Sequence, residues 1–130
     1  MKIIFFIMFF FLLSCGVKNK KKLENAVWAI EKVELEDEIY GVESLSYNLL
    51  SFNNDGKGSG FIFINSPYLT NHFHWEFLSG GDKGKDSIDV YMSNNEFFND
   101  RFRVDFFSEN GGYYLVLTSN KMKVRCFKWL

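Results

Sequence analysis

The sequence predicts an all-β chain in which about eight antiparallel strands close into an up-and-down barrel, behind an N-terminal signal helix. Three observations carry this. From Ala26 onward, short segments alternate apolar and polar residues, the period of a strand with one buried face. The links between them are brief and rich in Gly, Asn, Asp and Ser. A single proline, Pro67, falls in a link, and no sustained helical period competes. Short links favour antiparallel neighbours, because parallel pairs need crossovers. Eight one-sided strands remove their edges by closing on themselves.

The elements follow in order. Val27 to Leu35 reads as the first strand. Glu36 to Tyr47 is the longest link, acidic at its start and long enough for one helical turn. Leu49 to Phe52 is a strand, and Asn53-Asn54-Asp55-Gly56 a turn of residues that tolerate positive φ. Gly60 to Ile64 is a continuous apolar strand that stops at Asn65-Ser66-Pro67. His72 to Phe77 alternates cleanly, with Phe73, Trp75 and Phe77 on one face and His72, His74 and Glu76 on the other. Ser87 to Met92 and Arg101 to Phe106 alternate again, separated by a turn at Asn94-Asn95. Tyr113 to Thr118 and Met122 to Trp129 form a last hairpin across Ser119-Asn120.

The N-terminus carries a different signal. Met1-Lys2 precedes an apolar run from Ile3 to Leu13, then Ser14 and Cys15. The run is shorter than the roughly 20 residues a spanning helix needs, and a basic start with a short apolar core is the pattern of a secretory signal. Leu12-Leu13-Ser14-Cys15 resembles the lipobox of bacterial lipoproteins. That resemblance implies cleavage before Cys15, a diacylglyceryl group on its thiol, and a lipid-anchored place in the cell envelope. Gly16 rather than Asp after the Cys implies the outer membrane. The expected organisation is a signal over 1–14, a lipid-bearing tether over 15–25 whose Lys18, Lys20, Lys21 and Lys22 read first as a solvated face and in the alternative as attracted to anionic headgroups, and one barrel domain over 26–130.

Composition excludes some roles. The formal net charge is −1, so no basic surplus points to nucleic acid. With Cys15 lipidated, Cys126 is the one remaining thiol and no internal disulfide forms. Its place in the alternation Met122, Val124, Cys126 makes it a small buried hydrophobe. No nucleophile motif and no Gly-rich phosphate loop is present, so no catalytic residue and no cofactor is expected.

Ala26-Val27-Trp28, the run Leu50 to Gly58, Trp75, Ile88-Asp89-Val90 and Tyr114-Leu115-Val116-Leu117 together resemble the lipocalin-like domains of small bacterial lipoproteins. The resemblance covers about residues 26 to 130. It departs at Ala26, where true lipocalins carry Gly, and the body is shorter. It implies a barrel with Trp28 at its base, and Arg125 as the basic residue packed on that Trp. It implies no catalytic residues.

The remaining candidates concern binding. His72 and His74 share a strand face with Glu76, but that face lies opposite the aromatic triplet and is expected to meet solvent, without a metal. Ser51, Asn53 and Asp55 resemble the start of a calcium loop, yet Ile62 falls where its twelfth-position acid belongs. A small apolar ligand is the first functional expectation, with Tyr40, Tyr47, Phe63, Phe73, Trp75 and Phe102 as its lining and the link from Glu36 to Tyr47 as a partial lid. The alternative is a protein-binding module, an inhibitor or envelope-complex subunit, with a filled barrel and an exposed aromatic patch.

Overall fold

The computed structural model describes residues 18–130; the signal segment and Cys15 lie outside the described residues. Nine strands follow one another: β1 (Val27–Leu35), β2 (Glu38–Tyr40), β3 (Leu45–Phe52), β4 (Lys57–Phe63), β5 (His72–Asp82), β6 (Lys85–Tyr91), β7 (Arg101–Glu109), β8 (Gly112–Thr118) and β9 (Met122–Lys128). Every neighbouring pair is antiparallel, and β1 pairs with β9 from Trp28↔Lys128 to Leu35↔Met122. That ladder closes β1 and β3–β9 into an eight-stranded up-and-down barrel, as the alternation predicts. The short β2 is an addition. It folds back on the second half of β1, whose first half pairs with β3.

β1 serves both sides because it changes phase. Trp28 and Ile30 are buried, then Glu31 and Lys32 interrupt, then Val33 and Leu35 are buried. The β1–β9 register slips between Ile30 and Lys32, as a bulge does when it inserts one residue and re-aims the strand. The consecutive polar pair Glu31-Lys32 is its sequence trace.

Inward faces converge on rings. Phe52 packs edge-on against Trp75 and Phe73, with ring centroids 5.2 and 5.7 Å apart. Phe98 stands 5.2 Å from each of Phe61, Phe73 and Phe102. Lower down, Trp28, Phe106 and Tyr113 form a second cluster at about 6 Å spacing. Trp75 Nε1 donates to the carbonyls of Asn53 and Lys57, so the β3–β4 turn is fastened to the core.

Both ends are stopped from within. At the upper end, a 3₁₀ turn over Glu96–Phe98 drives Phe98 into the barrel, where it has no exposed surface. At the lower end lie the start of β1 and the β3–β4, β5–β6 and β7–β8 turns, together with a helix over 18–24, α1. α1 corrects the expected tether: its Leu23 is wholly buried in the core, Trp28 Nε1 donates to the Leu23 carbonyl at 3.3 Å, and Asn19 Nδ2 donates to Asp86 at 2.6 Å. An apolar residue directly after the lysine run supplies the reason; burying one Leu gains about 2 kcal/mol and fixes the segment. No helix among the described residues is long and apolar enough to cross a membrane.

Leu23→Ala and Trp28→Ala separate a plugged base from a free tether. Truncation costs about 2–5 kcal/mol for a buried Leu and about 3–5 kcal/mol for a buried Trp. Urea unfolding should show both variants with clearly lowered midpoints. A Leu23→Ala midpoint equal to that of the parent chain would restore the tether.

Candidate functional site

The six side chains expected to line a ligand pocket do not surround one. Phe73, Trp75 and Phe102 are buried at 1%, 3% and 0% exposure, against other rings of the core. Phe63 is half-buried beneath Tyr40, with ring centroids 6.0 Å apart. Tyr47 is exposed on the outer face. The physical reason is volume: an eight-stranded barrel is just wide enough for side chains, and Phe98 takes the space that a ligand would need. The lid is corrected with the pocket. β2 pins the Glu36–Tyr47 link to β1, Ile39 points outward, and Tyr40 covers the core edge over Phe63. The Tyr40 hydroxyl donates to Glu38 at 2.6 Å, and that bond raises its pKa.

Arg125 also departs from expectation. It faces outward from β9, whereas Trp28 faces inward, so the two cannot meet across the sheet. Its guanidinium lies over the Tyr114 and Phe107 rings, 4.8 and 5.1 Å from their centroids. It binds Glu31 at 3.0 Å and Glu109 at 3.5 Å, and the Glu31 hydrogen bond is the main cause that raises its pKa. The cation beside the Trp28 cluster is Lys22, 5.4 Å from the Phe106 ring.

On β5, His72 and Glu76 meet solvent and His74 stacks on Tyr91 at 5.4 Å. Among the described residues no three ligating side chains gather. Cys126 is fully buried, and burial is the main reason its thiol pKa is pushed far up, with the Glu31 carboxylate adding to it.

The upper rim holds what the sequence did not announce. Two links dominate it, 64–71 between β4 and β5 and 92–100 between β6 and β7. Buried Asn71 joins them. Its Nδ2 donates to the Gly60 and Phe61 carbonyls, and its Oδ1 accepts from Ser93 Oγ and the Asn94 amide. Asn99 continues the network, accepting from the Ser93 amide at 2.7 Å and donating to the Ser93 carbonyl at 2.9 Å. β4 pays for the junction in backbone geometry: Gly60 has φ +113°, and Phe61 follows at +65°. A Cβ on residue 60 would collide with the Leu49 carbonyl, and a bulky residue at positive φ is strained.

This polar frame carries apolar side chains outward. Leu69 is 96% exposed, and Ile64, Tyr68, Met92 and Phe97 are also exposed. Tyr68 and Phe97 border a cleft of about 170 Å³. Leu69 and Tyr47 border an adjoining groove of about 240 Å³, and Ile62, Thr70 and Asn71 line both. Glu96 is the one formally charged residue among their described linings. Asn95, on the smaller cleft, has a buried Nδ2 with no partner in the chain. Apolar residues in a Pro-bounded link with no alternation were the available sequence signal for this rim; nothing marked Asn71.

The chain matches no family model, no curated protein and no solved structure.

The lower end is chemically unlike the rim. Lys18, Lys21, Lys22 and Lys128, with Asn25, Trp28 and Tyr113, line an open cleft of about 500 Å³. Lys20 pairs with Glu24 at 3.7 Å.

Two measurements check this geometry. Asn71→Ala orphans buried carbonyls and donors, each worth about 1–3 kcal/mol. It should lower the urea midpoint and raise amide exchange in both links, with β7–β9 unaffected below global unfolding. Cys126 should resist maleimide until the chain unfolds. Because its folded pKa lies above the unfolded value of about 8.5, its contribution is complete below that pH and stability declines as pH rises past it. Cys126→Ala should flatten that part of the decline, read by urea unfolding between neutral and alkaline pH.

Proposed function

We propose that this chain is a lipid-anchored bacterial envelope lipoprotein, lipocalin-like in plan, whose barrel is a filled scaffold that binds another protein through its upper rim. The carrying observation is the pairing of a packed interior with an outward apolar rim. Trp28, Phe52, Phe61, Phe73, Phe98 and Phe102 occupy the space where a barrel of this plan would hold a ligand. Meanwhile Tyr68, Leu69 and Phe97 are held out in water by a buried hydrogen-bond frame. Exposed apolar surface marks interaction sites, and a surface fixed in advance loses less entropy on binding. With Glu96 the one formal charge in the linings, the fitting partner presents an apolar, weakly charged face.

A small apolar ligand is the second reading, moved from the interior to the outer groove beside Tyr47 and Leu69. The lipoprotein part rests on Leu12-Leu13-Ser14-Cys15 after a short apolar run. No nucleic-acid role and no catalysis is proposed.

Intact mass of protein extracted from its host membranes should show a diacylglyceryl adduct on Cys15 and no residues 1–14; full-length unmodified protein overturns the anchor. Leu69→Asp with Phe97→Asp should leave the urea midpoint nearly unchanged, since both side chains are exposed, and abolish the partner recovered by crosslinking to the parent chain in the host. Retention of the same partner by the double variant would refute the rim. A fatty-acid titration that shifts Trp emission and raises Tm would favour the groove reading instead.

A further inference from the structure

The geometry points to the lower end of the barrel as a membrane-facing surface whose lysine cleft takes the phosphates of anionic phospholipid headgroups. This rests on the lipoprotein reading. Three observations converge on it. The first is charge. Lys18, Lys21, Lys22 and Lys128 line the lower cleft, and its described lining includes no carboxylate. The nearest acids on α1 and its contact strand are engaged elsewhere: Glu24 pairs with Lys20 at 3.7 Å, and Asp86 accepts from Asn19 at 2.6 Å.

The second is rigidity. Leu23 in the core and the Trp28–Leu23 hydrogen bond hold α1 against the barrel. The lysines therefore stand in one place on one face. A cleft of about 500 Å³ floored by Trp28 and Tyr113 accepts a headgroup, which brings a compact anion and a short apolar backbone. At the same end Trp129 is 57% exposed and Leu130 75% exposed, directly after Lys128. Trp at this position suits the headgroup layer, where its ring is half in apolar and half in polar surroundings.

The third is reach. Lys18 lies three residue steps after Cys15, so fully extended the chain between them spans at most about 11 Å. A lipid on Cys15 thus keeps the start of α1 within about 11 Å of the membrane surface, a distance comparable with the Debye length of roughly 8 Å at physiological salt. At that distance headgroup charge acts on the lysines, and the upper rim is directed away from the membrane.

Hydrogen exchange on the lipidated protein tests this. The protein is reconstituted into vesicles of phosphatidylcholine alone or of phosphatidylcholine with phosphatidylglycerol. Residues 18–25 and 127–130 should exchange at least about tenfold more slowly with phosphatidylglycerol, and the difference should vanish at about 0.5 M salt, where screening is short-ranged. Lys18→Glu with Lys21→Glu should abolish the difference while strand exchange, the control for folding, stays unchanged. Equal exchange in both vesicles, with the diacylglyceryl mass present, overturns the inference and leaves the lipoprotein reading standing. If the mass shows Cys15 unmodified, flotation of that protein with phosphatidylglycerol vesicles alone still supports the basic face, and its absence refutes it. Protection reproduced by glycerol phosphate in solution, with no vesicles, would assign the cleft to a soluble phosphate instead.

Discussion

The β1–β9 ladder closes eight strands around an interior that only side chains fit, and the character of the molecule follows from how that interior is filled. Rings from β3, β4 and β5 meet edge to face with one another or with Phe98, and β7 adds Phe102 at a tilt. One residue from each end finishes the packing, Phe98 from above and Leu23 from below. Because the middle is occupied, chemistry is displaced to the two ends, and they differ. The rim formed by the 64–71 and 92–100 links is apolar and nearly uncharged, the β1–β2 and β8–β9 turns at the same end line a cleft with Glu34, Glu36, Asp37, Lys121 and Lys123, and the lower end is lined by lysines.

The buried polar network at the upper end is a cost that core packing alone would not require. Asn71 and Ser93 are buried side chains whose hydrogen bonds hold two links together, with Asn99 beside them. Partly satisfied networks are expensive in low dielectric. Here nearly every group finds a partner, Asn95 Nδ2 being unpartnered. The strained φ at Phe61 belongs to the same junction, where β4 leaves β5 after Ser59↔His72. A loop that served only to connect strands would not need this support.

Legibility in the sequence followed periodicity. β5 was readable because Phe73, Trp75 and Phe77 alternate with His72, His74 and Glu76, and the last hairpin because Leu115, Leu117, Val124 and Cys126 do the same. β3 and β4 begin earlier than their apolar cores suggest, at Leu45 and Lys57, because Leu45 and Tyr47 still pair with Phe63 and Ile62, and Lys57 and Ser59 with His74 and His72, although polar residues interrupt the apolar pattern there. Phe98 and Leu23 escaped notice because each is a single apolar residue in an irregular or short segment, where no period exists to assign a face. Arg125 was misplaced for a related reason: its role came from a resemblance that does not fix strand parity, and parity puts it outside with Glu31 and Tyr114. The ligand lining failed because sequence gives which residues face inward but not whether space is left between them.

Closure has a consequence for when this chain can fold. The strand that completes the barrel pairs with the strand that begins it, so Trp28 must wait for Lys128. Contacts of such sequence separation form late and slowly. Until β9 emerges, β1 and β8 each present an open edge, and a chain in that state is prone to pair with others. The same delay leaves the chain without a fixed shape until its last strand has been made.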